Sequence, residues 1–107
     1  MKEKLTKEQI EKFRKEVAMS RICTTIGVNE FAKTNPRFAI FIRESISRYF
    51  NCDWGDTCET DVKLNNESAV SGERVLAAYK FFDTDIVIWI CTEWDRSVTT
   101  ILFPDEY

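Results

Sequence analysis

Apolar side chains first recur with helical spacing at Ile10, Phe13 and Val17, with Lys, Arg and Glu filling the positions between them. Thr6 and Gln9 have the spacing of a capping box, and Leu5 and Ile10 occupy the two positions of a hydrophobic staple. The pattern predicts a helix over about Lys7–Met19. Its apolar stripe is narrow, which places it at the edge of a domain or against a partner. Residues 1–20 thus read as a charged helical appendage.

Arg21–Val28 is β-branched and ends at a glycine and a valine, which predicts a short strand. Asn29 is a candidate cap for a brief helical turn through Phe31 and Ala32. Asn35 followed by Pro36 is a strong helix start, an N-cap and then proline at the first helical position. Phe38, Phe41, Ile42, Ile46 and Tyr49 then form a wide apolar face, flanked by Ala39, Ile40 and Phe50, so this helix belongs at the centre of the core. The sequence N-C-D-W-G-D over residues 51–56 interrupts the pattern. A third long helix is predicted over about Thr57–Ser71, with Asp56 and Glu59 as its capping box and Gly72 as its stop.

The period then changes to two. Val75, Ala77, Tyr79 and Phe81 share one face of a strand over Arg74–Phe81. Residues 82–85 form a turn, and Ile86–Cys91 is apolar on both faces, as expected of a central strand. Residues 93–97 turn the chain back into Val98–Phe103, and Pro104 ends the sheet. The expected fold class is α+β: helices packed on a C-terminal three-stranded antiparallel meander, with Arg21–Val28 as a candidate fourth strand at its edge.

Length and composition narrow this picture. A chain of 107 residues, 44% hydrophobic and 31% charged, fits one globular domain spanning 1–107 and excludes general disorder. There is no histidine, which removes His-based general catalysis, Cys–His nucleophile pairs and His-ligated metals. No apolar run is long enough to span a membrane, and Met1–Lys15 has no apolar core of a signal peptide. The expected compartment is the cytoplasm, with Cys23, Cys52, Cys58 and Cys91 as free thiols. None of these cysteines forms a C-x-x-C pair, so no zinc site is expected. Charge is unevenly spread. Residues 1–50 carry 11 basic and 6 acidic side chains, and residues 51–107 carry 4 basic and 12 acidic. A general nucleic-acid binder needs a basic balance to neutralise phosphates. The acidic half instead suits a basic partner surface.

Candidate chemistry is thin. Asp53, Asp56, Glu59 and Asp61 are close in sequence, but they lack the spacing of a calcium loop. Cys58 stands near a helix start, where a thiol pKa can fall, yet no histidine is available as its base. No phosphate-binding glycine loop, nucleotide fingerprint or catalytic triad is present. The expectation is therefore a protein that is not an enzyme and uses no cofactor or metal. Two loops remain as candidate partner-binding sites: Asp53, Trp54 and Asp56, and Glu93, Trp94, Asp95 and Arg96. Trp and Arg are the residue types enriched at interface hot spots. A purely structural alternative pairs Asp95 with Arg96 inside the turn and lays Trp94 over the sheet edge.

Cys52-Asp53-Trp54-Gly55-Asp56, then Cys58-Glu59-Thr60-Asp61, then Asn65, resembles a widespread group of small bacterial proteins. So do Leu76-Ala77-Ala78-Tyr79 and the whole ending from Ile88 to Tyr107. These proteins are labelled "plasmid-related" or a type I restriction subunit, and they are common on phages, plasmids and integrative elements. The resemblance covers about residues 45–107. It departs from the group's pattern in the charged helix before Ser20 and at Trp94, where a small residue is more usual. It implies carriage on a mobile element and brings no established activity. For a small acidic chain, that carriage implies an inhibitor of a host defence effector nuclease, of anti-CRISPR or anti-restriction type. The alternative is a nucleic-acid-binding or regulatory accessory protein, using Lys33, Arg37, Arg43 and Arg48.

Overall fold

The structure, a computed structural model, describes residues 4–107. Helix α1 spans Lys7–Met19, strand β1 Arg21–Thr24, helix α2 Ile26–Thr34, helix α3 Pro36–Phe50 and helix α4 Glu59–Ser71. Strands β2 (Val75–Lys80), β3 (Val87–Thr92) and β4 (Val98–Leu102) follow, and a 3₁₀ turn at Pro104–Glu106 ends the described chain. The sheet order is β1-β4-β3-β2. β2, β3 and β4 form the expected antiparallel meander, and β1 joins the free side of β4 in parallel, so the sheet is mixed and the class is α+β.

Local chemistry explains most boundaries. The Thr6 hydroxyl accepts from the Gln9 amide at 3.1 Å, and the Gln9 side chain accepts from the Thr6 amide at 2.9 Å. Asn35 accepts from the Phe38 amide at 3.1 Å, ahead of Pro36. Gly72 closes α4 in the left-handed region at φ 84°. Two expectations give way. The strand predicted over Arg21–Val28 stops at Thr24, because Thr25 caps α2 by accepting from the Val28 amide; Asn29 lies inside that helix. Asp56 does not cap α4. Cys58 is the N-cap residue, without a side-chain cap bond, and the Asp56 carboxylate is engaged elsewhere.

The helices cover one face of the sheet. That face carries Val75, Ala77 and Tyr79 of β2, Ile88 and Ile90 of β3, and Ile101 of β4, all buried. Phe38, Ile42 and Tyr49 of α3 fill the space above them, as the wide apolar face of that helix requires. Helix α1 lies deeper than its narrow stripe implied. Phe13 and Val17 are fully buried, and the Phe13 ring packs edge-on against Tyr49 and Trp54, both at 5.6 Å. Two residues are enough to seat the helix because each is wholly enclosed. A chain of hydroxyls crosses the interior: Tyr49 to Thr92 at 2.7 Å, Thr92 to Thr99 at 2.9 Å, Thr99 to Ser20 at 2.8 Å, and Ser20 to the Val17 carbonyl at 2.6 Å. It ties α3, β3, β4 and the end of α1 into one register, with each buried hydroxyl satisfied. Burial raises the Tyr49 phenol far above its ordinary range, so it stays a neutral member of this chain.

Candidate functional site

The loop from Cys52 to Thr57 crosses the outer side of β2. Gly55 pairs with Ala78 in parallel fashion, and the Asp56 amide donates to the Ala78 carbonyl at 2.8 Å. The Thr57 hydroxyl accepts from the Ala78 amide at 2.8 Å, and the Asp56 carboxylate accepts from the Lys80 amide at 2.8 Å. Two residues back along β2, the Asn65 side chain donates to the Leu76 carbonyl at 2.9 Å and accepts from the Leu76 amide at 3.3 Å. Backbone groups that an edge strand would leave open are thus satisfied from Leu76 to Lys80. Gly55 adopts φ 64°, and a Cβ there would collide with the Tyr79 ring and the Ala78 carbonyl, so glycine is required for the loop to lie this close. Asp53 pairs with Arg48 through both carboxylate oxygens, at 2.8 and 3.1 Å. The Arg48 guanidinium holds the Asp53 carboxyl below its usual range, against the upward pull of burial.

The carboxylates of the acidic loop have separate partners. Asp53 and Asp56 do not converge. One neutralises Arg48, the other receives a strand amide, and no three His, Cys, Asp or Glu side chains come together as a metal site among the described residues. Burial pushes the Cys52 thiol up to about 12, so it is a protonated core group at neutral pH. Trp54 is 3% exposed. Its ring packs on Phe13 and Tyr49, and its indole N–H donates to Asn66 at 2.8 Å. It is a core residue and offers no surface to a partner. The tyrosine beneath the loop, Tyr79, donates its hydroxyl to the Asp53 carbonyl at 2.7 Å.

The edge role of Asp56 is separable from capping. Asp56→Ala should destabilise the fold by about 1 kcal/mol, the net worth of a hydrogen bond of this kind. Hydrogen exchange should accelerate at the Lys80 amide and stay unchanged in the first turn of α4. Faster exchange confined to α4 would assign Asp56 to the helix instead.

The second loop, Glu93–Ser97, is the β3–β4 connection. The Arg96 amide donates to the Glu93 carbonyl at 2.9 Å, and the Asp95 carboxylate accepts from the Ser97 amide at 3.0 Å. Arg96 sits in the left-handed region at φ 58°, which a non-glycine residue seldom adopts. Its guanidinium turns inward. It bonds Glu16 of α1 at 3.0 Å, the Glu73 carbonyl at 2.6 Å, the Ser68 carbonyl at 3.0 Å and the Glu93 carbonyl at 3.3 Å, and it lies over the Phe13 ring at 5.5 Å. The pairing of Asp95 with Arg96 foreseen as the structural alternative does not form. Arg96 is a clasp joining α1, the end of α4 and the turn.

What this loop presents outward is Trp94, 68% exposed, beside the exposed Asp95. The Ser97 hydroxyl and amide hold the Asp95 carboxyl below its ordinary value, so it is ionised at neutral pH. The loops are linked beneath the surface by Phe13, which packs on Trp54 and lies under the Arg96 guanidinium. They do not form one aromatic acidic patch of two tryptophans. The sequence of the β2–β3 connection predicts only a turn, yet it carries the same signal as Trp94, an aromatic residue among carboxylates. Phe82 there is 83% exposed next to Asp83, with Asp85 nearby. This turn lies at the opposite end of β3, roughly 20 Å away by strand length. On the basic side, Lys33 pairs with Glu30 at 3.5 Å and Arg48 with Asp53. No described helix is long and apolar enough to cross a membrane. No protein-family model matches the chain, and no curated protein or solved structure shows significant similarity to it.

Proposed function

We propose that this chain is a non-enzymatic, mobile-element-borne protein that binds a host defence effector nuclease and obstructs its nucleic-acid channel. The observation that carries this reading is the β3–β4 turn, where an exposed tryptophan stands beside ionised Asp95 on a loop held rigid by the Arg96 clasp. A pre-organised aromatic anchor loses little entropy on binding. Effector nucleases hold nucleic acid in basic channels, and an acidic turn competes for such a surface electrostatically. The resemblance of residues 45–107 to "plasmid-related" proteins supports the same context. Within the site, Trp94 is the anchor, Asp95 and Glu93 supply charge, and Arg96 positions the turn. Trp54 is buried and acts through the fold, whereas Asp53 and Asp56 are exposed and remain candidate contacts beside their bonds to Arg48 and the Lys80 amide.

Trp94→Ala should weaken inhibition at least tenfold while leaving the thermal melt nearly unchanged, because the removed ring contributes little to the core. Phe82→Ala is the matched control at the other turn and should inhibit as wild type. The measurement is DNA cleavage by a panel of CRISPR and restriction effectors, with binding followed in parallel. Absence of binding and inhibition across the panel, or full inhibition by folded Trp94→Ala, overturns the reading.

A further inference from the structure

We infer that two copies of this chain associate by antiparallel pairing of β1 with β1 of the second copy, in a register centred on Cys23. The two edges of the sheet are treated differently. The β2 edge is closed by Gly55, Asp56, Thr57 and Asn65, as described above. At the β1 edge, the Arg21 amide donates to the Ser97 carbonyl and the Thr25 amide to the Ile101 carbonyl, each at 3.0 Å. With the period of two along a strand, the backbone groups of Arg21, Cys23 and Thr25 face β4, and those of Ile22 and Thr24 face away. No described residue pairs with these outward groups. Large apolar side chains flank them: Met19 is 89% exposed, Ile22 41% and Ile26 84%. An open strand edge with apolar flanks is a template for strand addition.

The occupant follows from self-complementarity. An antiparallel partner exchanges both bonds between residues whose groups face outward. With Cys23 on the two-fold axis, Ile22 pairs with Thr24 of the other copy and Thr24 with its Ile22, so four bonds form and no outward group is left over. The same register places Arg21 opposite Thr25 of the other copy. The Thr25 hydroxyl donates to Glu106 at 2.6 Å, which fixes an exposed carboxylate at that point. Hydroxyl and backbone donors hold the Glu106 carboxyl below its ordinary value, so the charge is present. Arg21, exposed and without an ion-pair partner among the described residues, then meets Glu106 of the second copy twice over by symmetry. Cys23 faces Cys23 across a non-hydrogen-bonded pair, where Cα atoms are about 4.5 Å apart and within the range a disulfide can span. That geometry makes the thiol a reporter of register.

The test is sedimentation equilibrium of the full chain over a concentration series, with oxidation by diamide as the register probe. Wild type should show a concentration-dependent dimer, and diamide should link it through a disulfide that Cys23→Ser abolishes and Cys58→Ser retains. Thr24→Pro removes only an outward donor and should leave a monomer. Arg21→Glu lies on the exposed surface, should keep the wild-type melt, and should raise the dissociation constant about tenfold by turning two attractions into repulsions. A chain that stays monomeric to millimolar concentration overturns the inference. So does a dimer indifferent to both Thr24→Pro and Arg21→Glu, or one cross-linked through Cys58.

Discussion

Arg96→Ala is expected to destabilise the fold by about 2–3 kcal/mol, the upper part of the range for single substitutions, because one side chain joins α1, the end of α4 and the β3–β4 turn. The Arg96 side chain is only 11% exposed, and its loss removes one contact from several groups at once, each of Glu16 and the Ser68 and Glu93 carbonyls keeping another donor. Glu16 loses its buried cation and keeps only Lys12 at 2.9 Å. The Ser68 carbonyl loses its arginine donor near the end of α4, and Phe13 loses the cation above its ring. Lysine cannot substitute, because one ammonium cannot span Glu16 and three carbonyls in different directions, so Arg96→Lys should recover little. The acid limb gives an independent readout. Burial pulls the Glu16 carboxyl upward, but hydrogen bonds from Lys12 and Arg96 outweigh it and leave the folded pKa below the ordinary 4.5. A lowered carboxylate contributes stability that is full above the unfolded value and lost as pH falls through the folded one. Wild type should therefore lose part of its stability below about pH 4.5, and that loss should shrink in Arg96→Ala. Denaturant melts at neutral and acid pH measure both effects. A variant within 1 kcal/mol of wild type at neutral pH would remove the clasp from the account.

The elements were legible wherever the pattern was local. The capping box at Thr6 and Gln9, the Asn35–Pro36 start, Gly72 and the two-residue period of β2 each depend on neighbours a few positions away, and each element was found where expected. Long-range partners were not legible. Asp56 and Glu59 satisfy the spacing rule for a cap, but the Asp56 carboxylate bonds Lys80, 24 residues on. Arg96 and Glu16 are 80 residues apart, and no local pattern brings them together. A narrow stripe usually implies shallow packing at an edge; Phe13 escapes the rule by entering a cage built from Tyr49, Trp54 and Arg96, 36 to 83 residues further on. The candidate site shows the same limit. Two tryptophans in acidic loops look alike in sequence, and only the fold separates the buried one from the exposed one.

Trp54→Ala should accordingly cost about 3–5 kcal/mol, the range for emptying a buried aromatic site. The indole is enclosed at 3% exposure, against Phe13 at 5.6 Å and Tyr49 at 5.5 Å, both edge-on. Its removal opens a cavity beside the Phe13 and Tyr49 rings, which seat α1 against α3, and the Asn66 side chain loses its 2.8 Å donor. The damage should spread to the β2 edge, because Trp54 anchors the loop whose next residues bond Ala78 and Lys80. Trp54→Phe retains most of the ring area and loses the indole donor, so it should fall between wild type and alanine. Trp94→Ala, by contrast, should melt within about 0.5 kcal/mol of wild type, as exposed substitutions do. Chemical denaturation of the three variants decides the assignment, with hydrogen exchange at Ala78 and Lys80 reporting the edge. If Trp54→Ala and Trp94→Ala melt alike, the division of the two loops into one that builds the fold and one that faces a partner is wrong.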